Sequence, residues 1–291
     1  MKTYLSNPSG YCQGVSRAIA LSLSFKKKYP KKDCYVLGAL VHNETVTNDL
    51  KKYGIICLED KISSEEKIKK IPQESIVIFS AHGHDKKLET LLTNKKIVFL
   101  DATCPIVDLS AQNIKKAIAS GREVIYVGTP NHPETIAMLS IDKKVHLFQD
   151  IMDDMKKHIT DKTPFVSSQT TLSIYELENI FNKIKEIFPN AIFQKEICYE
   201  TKARQEAIKK LPNDVDVVFI VGGKNSSNTK KLYEVAKKHF STLKIYHILN
   251  EYDIDLLLDK IKGCQKCAII SGASTPLNET MKIKVKLDET W

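Results

Sequence analysis

Three of the seven cysteines, Cys12, Cys104 and Cys198, recur at intervals of 92 and 94 residues. Each precedes a stretch in which apolar residues return three and four positions apart, the period of a helix with one buried face. The stretches are Gly14 to Leu21, Pro105 towards Ile118, and Thr201 to Ile208. Thiolates are soft ligands that suit zinc or iron–sulfur clusters. Structural zinc sites usually draw on local Cys-x-x-Cys pairs, and these three cysteines stand alone. Three thiolates from three similar segments match the three-ligand face of a cubane cluster, with one iron open to substrate. A single buried cysteine is ordinarily core packing; for a periodic, loop-placed set that explanation is the weaker one.

The polar residues repeat in step with the cysteines. Tyr35-Val36-Leu37-Gly38, Ile125-Tyr126-Val127-Gly128 and Phe219-Ile220-Val221-Gly222 are apolar runs ending in glycine, and His42, His132 and Ser226 each stand four residues beyond. A further β-rich run in each repeat delivers His82, Thr170 or Ser274 just past its end. His42, His82, Ser226, Ser227, Asn228 and Ser274 are hydrogen-bond donors of the kind that grip phosphate oxygens. Apart from Lys224, lysine and arginine are missing from these loop tips. Neutral donors suit an anion held deep inside, where an unpaired ammonium would be costly to bury. Glu134, two residues after His132, is the candidate proton donor, because a carboxyl in a closed cavity has its pKa raised by desolvation. Thr170 and Thr171 could orient or relay that proton.

To present these groups together, the chain must be built from repeated βαβ elements. The expected fold is α/β: three similar units with small parallel sheets, over 1–101, 102–195 and 196–280. Residues 281–291 are expected to form a tail closing on the N-terminal region. Ligands gather outside the carboxyl ends of such strands. If the units pack about a pseudo-threefold axis, the cysteines and polar loops share one central cavity.

Composition narrows the class further. At 291 residues, with 42% hydrophobic and 27% charged residues, the chain can bury a substantial core. No apolar run reaches bilayer length, and the start lacks a secretory h-region, so a cytoplasmic location is expected. Only Arg17, Arg122 and Arg204 among the 44 basic residues are arginine. Nucleic-acid faces commonly include arginine, so the net charge of +9 reads as a lysine-rich solvated surface and nucleic acid is disfavoured. Without an export signal a disulfide framework is not expected. Cys34 and Cys57 read as core, and the lone Cys264-Gln265-Lys266-Cys267 pair is assigned no function.

The motifs Asn7-Pro8-x-Gly10-x-Cys12-x-Gly14-Val15, Val41-His42-Asn43, Ser80-Ala81-His82-Gly83 and Asp101-Ala102-Thr103-Cys104-Pro105 are joined by six more. These are His132-Pro133-Glu134, Gln169-Thr170-Thr171-Leu172-Ser173, Ile197-Cys198, Arg204-Gln205-Glu206-Ala207, Lys224-Asn225-Ser226-Ser227-Asn228 and Ser271-Gly272-Ala273-Ser274, with the order kept over nearly the whole chain. Together they resemble the 4-hydroxy-3-methylbut-2-enyl diphosphate reductase family, which catalyses the last step of the non-mevalonate isoprenoid pathway. The resemblance implies a trefoil of three α/β domains around an iron–sulfur cluster on Cys12, Cys104 and Cys198, 4Fe–4S with 3Fe–4S as the alternative. It implies reductive removal of the allylic hydroxyl, giving isopentenyl and dimethylallyl diphosphate, with the hydroxyl on the unique iron and Glu134 as proton source. His42, His82, Ser226, Asn228 and Ser274 would hold the diphosphate, while His132, Glu134 and Thr170 would face the hydroxymethyl end. The loop Gly128-Thr129-Pro130-Asn131 departs from relatives that carry an additional histidine there. Reduced ferredoxin or flavodoxin would supply electrons, and no membrane is involved.

Two other readings stay open on the residues alone. One is a three-cysteine zinc hydrolase of a phosphorylated small molecule, with Glu134 as base. The other is an iron–sulfur redox sensor that binds nucleic acid through its basic surface, which leaves the His/Ser/Asn ring unexplained.

Overall fold

The computed structural model describes residues 1–149, 155–194 and 198–290. Ile197 of the Ile197-Cys198 motif and the expected boundary at 195/196 lie outside them. Among the described residues, twelve strands form three four-stranded parallel sheets. In chain order they are β1 (Lys2–Leu5), β2 (Cys34–Leu37), β3 (Ile55–Leu58), β4 (Ile76–Phe79), β5 (Val98–Asp101) and β6 (Val124–Val127). The others are β7 (Val145–Phe148), β8 (Phe165–Ser168), β9 (Ile192–Phe193), β10 (Val217–Val221), β11 (Lys244–Ile248) and β12 (Lys266–Ser271).

All three sheets share one topology: β3-β2-β4-β5, β7-β6-β8-β9 and β11-β10-β12-β1. The first strand of each repeat lies inside the sheet, the second takes the outer edge beside it, and the third crosses to its other side. The inner strands β4, β6 and β10 are buried at every residue, which is why they read as unbroken runs of Ile, Val, Phe and Tyr. The fourth strand is an edge strand in each case, and a cysteine follows it: β5 then Cys104, β9 then Cys198, β1 then Cys12. The repeat in the sequence is therefore a repeat of sheets, circularly shifted so that the last sheet takes its fourth strand from the start of the chain.

The chain divides into two compact units. Unit I comprises 1–15, 42–46 and 198–291, and unit II comprises 16–41 and 47–197. The expected boundary at 101/102 falls inside unit II, and residues 1–15, expected with the first sheet, belong to unit I. The physical reason is the pairing of β1 with β12 in register Lys2↔Lys266 to Leu5↔Ile269. Such a long-range parallel partner leaves no local trace in the sequence.

In unit I the core joins Met1, Val217, Phe219, Val221, Ile269 and Ile283 with Leu287 of the helix Leu277–Thr290. Thr3 Oγ1 also donates to Asp288 Oδ1 at 2.6 Å. Within unit II, the sheet of β2–β5 packs around Val77, Phe79, Leu88 and Leu92. The sheet of β6–β9 has a core on each face, one around Ile125 and Val166, the other around Val124 and Ile114. Among the described residues no helix is long and apolar enough to cross a membrane.

Candidate active site

In each sheet the chain reverses its direction of winding between the first and third strands of the repeat. The crevice at their carboxyl ends is the topological switch point, where open α/β sheets bind ligands. The polar residues expected from sequence all lie just beyond these strand ends: His42 and His82 after β2 and β4, His132, Glu134 and Thr170 after β6 and β8, and Ser226, Ser227, Asn228 and Ser274 after β10 and β12.

In unit II the second switch point buries a carboxyl group. Glu134 lies in the first turn of the helix Pro133–Leu139, with His132 as its N-cap and Pro133 at its start, where proline is tolerated for lack of a backbone partner. Only 1% of Glu134 is exposed. Thr170 N donates to its Oε1 at 2.9 Å and Thr170 Oγ1 to its Oε2 at 2.8 Å, while Tyr126 Oη approaches Oε1 at 3.5 Å. Burial raises its pKa to about 7 in spite of these donors. The same burial, with Glu134 beside it, raises the Tyr126 phenol further above its ordinary range, so Tyr126 remains a neutral donor.

The neighbouring histidines have defined roles in the hydrogen-bond pattern. His132 Nδ1 accepts from Glu134 N at 3.2 Å, so the neutral ring carries its proton on Nε2. The His82 ring meets His132 edge to face at 5.6 Å and lies 3.3 Å from Ser80 Oγ through Nδ1. The Cys104 loop is tied to the same strand end, because Cys104 N donates to Ala81 O at 3.0 Å. Behind that loop Asp101 Oδ1 accepts from Thr103 N at 2.9 Å and Thr103 Oγ1 at 2.5 Å. Lys86 Nζ reaches Asp101 at 3.2 Å and Glu89 at 2.6 Å. His84, for which the sequence suggests no role, stacks on Phe79 and meets Glu89 through Nε2 at 2.9 Å. Burial alone would raise the Asp101 carboxyl, but Thr103, His84 and Lys86 hold it below its ordinary value.

Unit I contains a different kind of site. Ser226 caps the helix Ser227–His239 by accepting from Thr229 N at 3.2 Å, so the helix N-terminus opens at the switch point with its partial positive charge. Asn228 Oδ1 accepts from Ala273 N at 2.9 Å, but its buried Nδ2 has no partner. Ser274 Oγ donates to His42 O at 3.3 Å. Burial and Lys230 lower the pKa of His42, against a smaller pull from Glu44. Gly223 is required for close approach: a Cβ there would meet His42 O at 2.5 Å and Asn43 Cα at 3.0 Å. His42 is thereby held against the loop that carries Ser226 and Asn228.

The expected ligand cysteines share one local setting. Cys104 and Cys198 are N-caps of the helices Pro105–Ala119 and Tyr199–Lys209, and Cys12 immediately precedes the helix Gln13–Lys28. Cys12 Sγ also accepts from Val15 N at 3.4 Å. All three are half-buried and outside any disulfide, and a helix N-terminus favours the thiolate. Cys34, Cys264 and Cys267 are buried; burial, with a lesser push from Cys57, raises the Cys34 thiol to about 11. Cys57 itself is half-buried.

Sequence reasoning quoted Arg204 only as part of a motif and read Tyr126 only as strand core. Arg204 is 1% exposed and donates to Gly10 O at 2.8 Å and Ser271 O at 2.9 Å. The available signal was its rarity, one arginine of three in a lysine-rich chain.

Comparison with known proteins agrees with this architecture. The LytB protein family model matches residues 3–288. The 4-hydroxy-3-methylbut-2-enyl diphosphate reductase of Malacoplasma penetrans is 38% identical over 285 residues, covering 95% of this chain and 93% of its own length. That of Wigglesworthia glossinidia brevipalpis is also 38% identical, over 95% of this chain and 86% of its own length. The solved E-1-hydroxy-2-methyl-but-2-enyl-4-diphosphate reductase of Plasmodium falciparum superposes with a TM-score of 0.88 at 32% identity, covering 98% of this chain and 87% of that one. The chain belongs to the LytB protein family.

Proposed function

We propose that this protein converts 4-hydroxy-3-methylbut-2-enyl diphosphate to isopentenyl and dimethylallyl diphosphate, using an iron–sulfur cluster held by Cys12, Cys104 and Cys198. The observation that carries the reading is the buried Glu134 carboxyl, with its pKa raised to about 7 by burial and Thr170 on both of its oxygens. The donor set also fits the cluster: three half-buried cysteines outside any disulfide, each at the start of a helix, offer soft ligands in an anion-favouring setting. When bound, the cluster supplies one-electron steps. The net reaction takes up two electrons and two protons, breaks the allylic C–O bond and releases the oxygen as water.

This chain's own residues handle the anion and the proton. The N-terminus of the helix Ser227–His239, the Asn228 amide and the Ser226, Ser227 and Ser274 hydroxyls offer donors to the diphosphate, with His42 and His82 completing the set. Glu134 stays protonated up to about neutrality, and the Thr170 hydroxyl, in contact with its Oε2, can take the carboxyl proton while passing on its own. His132, with Nδ1 engaged by Glu134 N, presents a donor at Nε2 to the substrate hydroxyl. A small acidic carrier, reduced ferredoxin or flavodoxin, is the electron donor that a chain of net charge +9 would attract.

Iron and acid-labile sulfide analysis with the visible spectrum, on protein purified without air, tests the proposal, followed by an assay of the hydroxylated diphosphate with a reduced donor. One cluster per chain and formation of both diphosphate products are expected. Zinc instead of iron, or no metal after anaerobic reconstitution, would overturn the cysteine assignment and favour the hydrolase.

A further inference from the structure

Arg204 has an unusual environment for a guanidinium. Its side chain is 1% exposed, yet its acceptors are neutral: Ser271 O at 2.9 Å, Ser271 Oγ at 3.2 Å, Gly10 O at 2.8 Å and Pro8 O at 3.5 Å. Its Nε is buried without a partner. The nearest carboxylate among the described partners, Glu200, is 3.7 Å away and is itself partly exposed. Burying a charge this way carries a penalty of several kcal/mol unless opposite charge is close. Neutral donors would be enough to hold carbonyl groups together, so the bonds alone do not explain a cation.

The geometry supplies the missing negative charge. Arg204 lies on the helix Tyr199–Lys209, whose N-cap is Cys198. The carbonyl it binds at Gly10 is two residues from Cys12, and Cys12 N is fixed to Ala273 O at 3.0 Å. Ser271 Oγ, which receives Arg204, also accepts from Gly10 N at 3.0 Å. One guanidinium therefore braces both cysteine loops of unit I against the end of β12. Burial lowers the pKa of Arg204, while Glu200, Cys12 and Cys198 raise it.

We infer that Arg204 is a positioning residue for Cys12 and Cys198, and that its buried positive charge balances their ligand thiolates. The inference rests on the cluster reading given above. Each electron added to a thiolate-bound cluster adds negative charge, so a fixed cation in a poorly screened interior makes reduction easier. Glu200, 3.7 Å from Arg204, opposes this effect.

The test compares anaerobically assembled wild type with Arg204→Met, Arg204→Lys and Glu200→Gln, reading iron and sulfide content and the midpoint potential of the cluster. Arg204→Met should make one-electron reduction about tenfold less favourable, a fall of about 59 mV. Arg204→Lys should recover most of that loss, because it restores charge without the fork. Glu200→Gln should shift the equilibrium the other way by roughly threefold, about half that potential change, and it removes no bond on which the loops depend. Arg204→Met with full cluster content and a wild-type potential would overturn the inference. Where Arg204→Met loses the cluster, Glu200→Gln decides: a raised potential supports the inference and an unchanged one overturns it. A wild type that takes up no cluster refutes the function proposed above and this inference with it, whereas a normal cluster with unresponsive potential refutes the inference alone.

Discussion

Glu134 in unit II and Asn228 in unit I are both buried polar side chains at the carboxyl end of a parallel sheet, yet their surroundings are opposite. Glu134 accepts from Thr170 N, Thr170 Oγ1 and, at longer range, Tyr126 Oη. Asn228 has its carbonyl engaged by Ala273 N and its amide nitrogen left without a partner. A buried polar group without a partner costs roughly 1–3 kcal/mol, a cost that an arriving acceptor would relieve. In the proposed function, unit II holds a proton ready in a fully supported carboxyl, and unit I keeps donors ready for an anion that brings its own acceptors.

The strongest way to break this comparison is to remove what both sites are proposed to serve. Cys104→Ser takes away one of the three proposed protein ligands, so cluster content and turnover should disappear together. A variant with full iron and sulfide would refute the assignment of Cys104. Next in size is Glu134→Gln, which keeps the shape of the side chain and removes its proton. Turnover should fall by roughly a hundredfold or more, the scale of losing a general acid, with the cluster unchanged. Wild-type turnover should also decline as pH rises through about 7, and the glutamine variant should lack that limb. Near-normal turnover in Glu134→Gln would move the proton source elsewhere.

Asn228→Ala should act on binding instead. A hydrogen bond to a charged group is worth about 1.5–3 kcal/mol, so the affinity for inorganic diphosphate, measured by calorimetry, should drop roughly tenfold or more. The expected signature in turnover is a raised KM with kcat little changed. A lowered kcat at unchanged KM would place Asn228 with the proton machinery and erase the distinction between the two sites.

Much of this was legible in the sequence because the three sheets share one topology. Largely buried strands leave apolar runs that end in glycine, and the residue four positions beyond each glycine stands at a switch point, so His42, His132 and Ser226 could be found by counting from that glycine. The cysteines were legible for the same reason, since each follows the fourth strand. What escaped detection is what depends on distant partners. The pattern Lys2-Thr3-Tyr4-Leu5 gives no sign that its partner is Lys266 to Ile269. Tyr126 reads as one more apolar strand residue until its hydroxyl is seen beside Glu134. Arg204 required the fold, because its acceptors lie on segments nearly two hundred and nearly seventy residues away along the chain.

The smallest expected effect separates the two sites by the sign of their response to pH. The folded-state pKa of Glu134 is raised to about 7, above its unfolded value near 4.5. Its protonated form therefore contributes stability that is full below about pH 4.5, declines as pH rises, and is gone above about pH 7. The pKa of His42 is lowered by burial and Lys230, so its contribution is present above about pH 6.5 and is lost as pH falls through its folded-state value. Thermal unfolding of Glu134→Gln and His42→Asn, each referred to wild type across pH 5 to 8, should give difference curves of opposite slope. Wild type should lose its advantage over Glu134→Gln as pH rises and over His42→Asn as pH falls. Curves of the same sign would mean that one of the two groups titrates with a pKa shifted the other way, and the contrast between a proton-holding site and an anion-receiving site would lose its electrostatic basis.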